Sequence, residues 1–182
     1  MEYVRWVENE NNGLKVSRQI GEFIFTVQYK PLEYKILQKL KDPGITYDRL
    51  EEEKKEIEDM QYFTFTVKVK DSNISPLKYN LENDNDYYGR LEYFSFHIQN
   101  DFRLIDGKDT LNCLLHHFER TYELTPENTF VLAFRAPQNK SPDEIFFEDK
   151  TFIYEDKILN TGKVNLIIKA ENLNQIPNIK IL

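Results

Sequence analysis

Cysteine occurs once, at position 113. A single thiol excludes an intrachain disulfide and a zinc site built from several cysteines of one chain. It does not fix the compartment. Glycine is scarce as well, with six in 182 residues. No GxGxxG and no phosphate-cradling P-loop is present, nor the HExxH or GxSxG patterns that mark two large hydrolase classes. No run of Lys or Arg occurs. The nearest, Lys54-Lys55, is enclosed by Glu51, Glu52, Glu53 and Glu56 in a chain of net charge −7. Displacing counterions from a nucleic acid needs a basic face, so neither nucleic acid nor an anionic membrane surface is an expected partner. Nothing approaches the roughly 18 apolar residues of a membrane span. Residues 1–12 are polar and acidic, without the basic-then-apolar pattern of an export signal.

What is present is aromatic. Phe (13) and Tyr (11) dominate an aromatic share of 14%, against 30% charged residues. Such rings remove much apolar area from water when buried, and the composition is not that of a disordered chain. Several segments alternate with period two, the mark of a strand with one buried face. In Glu22–Tyr29 the apolar members are Phe23, Phe25, Val27 and Tyr29. In Tyr62–Lys70 they are Phe63, Phe65, Val67 and Val69. Leu91–Gln99, with Phe94, Phe96 and Ile98, and Lys163–Ala170, with Val164, Leu166 and Ile168, repeat the pattern. Leu14–Ile20 reads as a strand joined to Phe23–Tyr29 by a hairpin at Gly21, and the apolar Thr129–Phe134 as a central strand covered on both sides. Ile145–Phe147, Thr151–Tyr154 and Asn178–Leu182 are shorter candidates. Many short strands divided by Asn, Asp, Gly and Pro clusters predict a mainly β, sandwich-like fold.

Helical spacing interrupts this pattern between residues 32 and 59. Leu32, Ile36, Leu37 and Leu40 share a face, Asp42-Pro43-Gly44 breaks the chain, and Thr46 is placed to cap a second helix. Tyr47, Leu50, Ile57 and Met60 are then expected to face the sheet, with Glu51 and Lys55 as an i,i+4 pair. Asp71–Arg90 and Ala136–Asp143 read as loops, the first with room for a short strand at Leu77–Tyr79. With no repeat and no low-complexity linker, residues 1–182 are expected to form a single β-rich domain.

Three clusters invite chemistry. Cys113, His116 and His117 have the side chains of a nucleophile pair or part of a metal site. On a strand Cys113 and His117 stand about 13 Å apart, at about 3.3 Å per residue, whereas on a helix Cys113 could meet His116 or His117. The surrounding Leu111, Leu114, Leu115 and Phe118 favour a packed structural cysteine. Acidic clusters occur at Glu82–Asp86 and Glu148-Asp149; the first lacks the Gly and terminal Glu spacing of a calcium-binding EF-hand and reads as a flexible acidic loop. Aromatics offer a different possibility, a sticky surface for a partner, with Trp6, Tyr87 and Tyr88 as the leading candidates.

Trp6-Val7-Glu8-Asn9 with Asn12-Gly13-Leu14, then Ile20-Gly21 and Gln28-Tyr29-Lys30-Pro31 with Tyr34, resemble an uncharacterised predicted lipoprotein family of Bacteroidetes-type bacteria. So do Tyr93-Phe94-Ser95-Phe96, Cys113 with His117-Phe118-Glu119-Arg120, and Phe130-Val131-Leu132-Ala133-Phe134. The resemblance implies a lipid-anchored domain at the periplasm or cell surface. It carries no catalytic residue and no cofactor. The expectation is therefore a non-enzymatic, envelope-associated binding or assembly domain with a protein partner, such as an accessory component of a secretion or surface apparatus. The alternatives are a small enzyme or ligand carrier with a pocket near Cys113, His116 and His117, and a cytoplasmic adaptor or immunity-type protein.

Overall fold

The computed structural model describes residues 2–40, 46–121, 124–137 and 147–179. The chain opens with helix α1 (Glu2–Glu8) and a 3₁₀ turn, then strands β1 (Lys15–Ile20) and β2 (Phe23–Lys30). Ile20 pairs with Phe23 across a two-residue turn. Gly21 takes φ 56° there, the left-handed backbone that such a hairpin asks of its first turn residue. Helices α2 (Leu32–Leu40) and α3 (Tyr47–Ile57) follow, and then β3 (Met60–Val69). Thr46 caps α3 as expected, its hydroxyl accepting from Arg49 N. Ion pairs Lys39–Glu53 and Lys54–Glu33 tie α2 to α3. Ile36 and Leu37 are buried on α2, whereas α3 buries Leu50 and leaves Tyr47 exposed.

After helix α4 (Asp84–Glu92) come a π-helical turn at Tyr93–His97 and a 3₁₀ turn at Ile98–Asp101. The rest is β4 (Phe102–Asp106), β5 (Asp109–Glu119), β6 (Glu127–Arg135), β7 (Lys150–Glu155), β8 (Lys163–Ile168) and the short helix α5 (Ala170–Leu173). All eight strands pair antiparallel in the order β1-β2-β3-β6-β5-β4-β7-β8. The fold is thus mainly β. Its two layers are one sheet folded over on itself, and β5 makes the fold. Residues 109–112 of β5 pair with β4, residues 113–119 pair with β6, and a bulge at Cys113–Leu115 lies between them. A bulge bends a strand and increases its twist, which is what a strand shared between two layers requires. The outer strands β1 and β8 meet without a ladder; Arg18 Nη1 reaches Asn165 O at 3.4 Å. The sheet is therefore nearly closed.

Aromatic rings fill the space between the layers. Phe65 lies within 6.1 Å, centroid to centroid, of Phe25, Phe102, Phe130, Phe152 and Tyr154. Offset and edge-to-face ring pairs add to the area they bury.

Leu91–Gln99 corrects the sequence reading, because it is helical. Leu91, Phe94 and Ile98 also have spacing i, i+3, i+7, which places them on one helical side, and Phe94 and Ile98 are fully buried while Phe96 is 72% exposed. Asn83 starts the helix by accepting from Asn85 N and Asp86 N. The acidic stretch Glu82–Asp86 is therefore a capped helix start, where carboxylates suit the positive end of the dipole. Leu77–Tyr79 forms a turn, Phe147 lies outside any strand, and no strand forms at Asn178–Ile179. Residues 145–146 and 180–182 lie outside the described residues.

Candidate functional site

Inward-facing residues alternate along each strand, so the filling of the sheet can be followed two residues at a time. Along β4 it runs Phe102, Leu104, Asp106; along β7, Tyr154, Phe152, Lys150; along β3, Phe65, Phe63, Gln61. All three series pass from rings and aliphatics to a polar group at the end of the barrel that carries α2 and α3. Asp106 and Lys150 are register partners. Lys150 Nζ lies 2.5 Å from Asp106 Oδ2, each side chain 2% exposed. Gln61 Nε2 donates to the same Oδ2 at 3.0 Å and to Arg135 O at 2.9 Å. The ammonium also sits 5.9 Å from the Tyr29 ring and 5.8 Å from the Phe147 ring. A buried ion pair repays its desolvation only with such additional partners. Burial, then the Glu33 and Asp106 carboxylates, push the Tyr29 hydroxyl well above the usual tyrosine range.

One acceptor in this layer is left over. Gln61 Oε1 is buried and has no hydrogen-bond partner among the described residues. Turning the amide over would place its oxygen against two acceptors, so the orientation is fixed by chemistry.

Above this floor opens a cleft of about 740 Å³. Tyr29 and Phe147, whose rings flank the Lys150 ammonium, stand at its base, and Tyr47 and Leu50 of α3 form one wall. The opposite wall is the segment after β8, with Leu173, Ile176 and Ile179. Tyr47 OH donates to Ile179 O at 3.3 Å, linking the two walls. The Asn174 side chain fixes Phe147 through both its amide N and its carbonyl. Glu33, Glu51 and Glu58 contribute carboxylates to the lining and Lys54 a second cation.

The residues singled out from sequence lie elsewhere. Trp6 is half-buried on α1, which is held at the α2 end of β2 by Gln28 donating to Val7 O and Tyr34 donating to Glu8, and Trp6 does not line the cleft. Tyr87 and Tyr88 lie on α4, their rings 5.5 Å apart, with Tyr88 64% exposed. That helix is bound through Arg90 to Pro76 O and Tyr79 O, and Tyr79 packs on Phe23 at the opposite end of β2. Trp6 and the Tyr87–Tyr88 pair thus lie against opposite ends of that strand. Cys113 is buried on β5, its Sγ donating to Leu115 O, and burial pushes its thiol up to about 12. His116 is committed to Ser95 O and Gln99 Oε1, each at 3.0 Å, while His117 is exposed. The three do not converge on a cleft. No cluster of three or more potential metal ligands occurs among the described residues.

No family model matches the chain, and no curated protein matches it. The chain is similar to a crystal structure from Burkholderia pseudomallei described as a novel protein of unknown function, with 12% identity and a TM-score of 0.41 over 96% of this chain and 87% of that one. Among the described residues, no helix is long and apolar enough to cross a membrane.

Gln61, Asp106 and Lys150 are not distinguished by any motif. The signal that marks them is the same alternation that reveals the strands. Extended two residues past its last apolar member (Leu104, Phe152 or Phe63), each series lands on a polar side chain at a position facing inward.

Proposed function

We propose that this chain is a non-catalytic binding domain whose ligand occupies the cleft at the α2–α3 mouth of the sheet. The observation that carries this reading is the composition of the mouth: mainly apolar walls over a floor of a few fixed polar groups. The volume, about 740 Å³, falls within the range of small-molecule sites. The space between the sheet layers, by contrast, is filled with rings, so a central chamber of the carrier type is not part of the reading. Nucleophilic chemistry has little to draw on, because the thiol is buried in β5 and does not line the cleft, and the Lys150 amine is held as a donor to Asp106.

A fragment screen read by amide chemical shifts tests the proposal. The expected result is that binders perturb Gln61, Phe147 and Ile176 together, and that Ile176→Glu removes binding while leaving the melting temperature within a few degrees. Binders that perturb only α4 or the β5 bulge would move the function to the outer surface.

A further inference from the structure

The cleft has a polarity from floor to rim. At the floor Gln61, 4% exposed, holds Oε1 without a partner while both bonds of its amide nitrogen are spent inside the protein. The charges beside it, Asp106 and Lys150, cancel. The group this floor lacks is therefore a neutral donor, since an incoming cation would face the Lys150 ammonium. Toward the rim the balance changes. Lys54 is taken by Glu33 at 3.0 Å and by Glu51 at 3.9 Å. Glu58 is exposed and acts on Lys54 only after Glu33 and Glu51. Among the described residues at the rim, three lining carboxylates stand against Lys54 and leave it negative, and like charge repels an incoming anion. Between floor and rim lie apolar side chains, Met60, Phe147, Leu50 and Ile176 among them.

We propose that the cleft selects a small amphiphilic cation: a neutral O–H or N–H donor bound to Gln61 Oε1, an apolar or aromatic body between Phe147 and Ile176, and a protonated amine at the rim facing Glu51 and Glu58. This rests on the cleft being the ligand site. Oε1 is shielded from solvent, so the donor reaches it by displacing a neighbouring side chain at the floor, and binding is accompanied by a shift of the Phe147 ring.

Three probes of one size separate the parts. Tyramine has the phenol and the amine, phenethylamine lacks the phenol, and 3-(4-hydroxyphenyl)propanoate carries a carboxylate in place of the amine. Titrated at pH 7 and low salt against the whole chain, tyramine is expected to perturb Gln61 and Ile176. Phenethylamine is expected to bind about tenfold more weakly, the loss of one hydrogen bond, and the carboxylate most weakly of all. In Gln61→Met the gap between the two amines closes; in the double variant Glu51→Gln, Glu58→Gln the gap between tyramine and the carboxylate narrows. Phenethylamine or the carboxylate binding in the cleft as tightly as tyramine overturns the ligand class and leaves the cleft as a site. If none of the three perturbs cleft resonances, the cleft reading fails and the ligand class with it.

Discussion

The interior of the sheet and the layer at its mouth are built by the same strands, two residues apart, and use opposite chemistry. Around Phe65 every inward position is a ring or an aliphatic group. At Gln61, Asp106 and Lys150 three inward positions are polar, set beside the buried Phe134 and Ile168 with which Gln61 and Lys150 pair. The first arrangement is sufficient to hold the layers together, since burying rings needs no partner of defined geometry. The second is demanding, because each charge must be matched before burial becomes tolerable. A layer that stability alone does not require, placed where the sheet opens on a cleft, is the reason to locate function there.

The comparison can be tested by unequal losses. Phe65→Ala removes the ring that touches five others and is expected to cost about 4 kcal/mol, read by denaturant midpoint at unchanged slope. Lys150→Met leaves Asp106 buried without its cation and is expected to cost about 3 kcal/mol, whereas the double change Asp106→Leu, Lys150→Met should fall within about 1 kcal/mol of wild type. A double variant as unstable as the single would mean that the floor stabilises in the same way as the rings do. Thr46→Ala removes the cap of α3 and should lower stability by about 1 kcal/mol, with the cleft wall exchanging amide hydrogens faster than the sheet. The smallest effect concerns pH. Burial raises the Cys113 thiol from 9.0 to about 12 in the fold, so the unfolded chain ionises first. That contribution is complete below pH 9 and is lost as pH rises toward 12. Wild type should accordingly lose stability faster than Cys113→Ala above pH 9, and native Cys113 should resist thiol reagents that modify the unfolded chain at once.

Much of the sheet was legible because alternation and burial are one fact seen twice. Phe23–Tyr29 and Tyr62–Lys70 appear as β2 and β3, and the helical pair with its Thr46 cap lies where spacing placed it. The limits are physical too. Phe94, Phe96 and Ile98 satisfy period two, but Phe94 and Ile98 also satisfy a helical turn, and the cap at Asn83 tips the balance. β4 escaped notice because five residues with Arg103 and Asp106 among them carry little hydrophobic signal, and its neighbours β5 and β7 supply what defines it. The candidate site was not legible at all. Trp6, Tyr87 and Tyr88 stand out in the sequence as aromatics expected on the solvent side, yet the cleft gathers residues from β2, α3, β3, β7 and the segment after β8, a set that only the closing of the sheet brings together.

The near meeting of β1 and β8 bears on solubility. A sheet's outer strands ordinarily present bare amides and carbonyls that recruit strands from other molecules, and those of this protein are turned toward each other, with a guanidinium across the gap. Growth by edge-on stacking would first have to pry the roll open, so aggregation should track partial opening of this junction rather than the concentration of intact molecules.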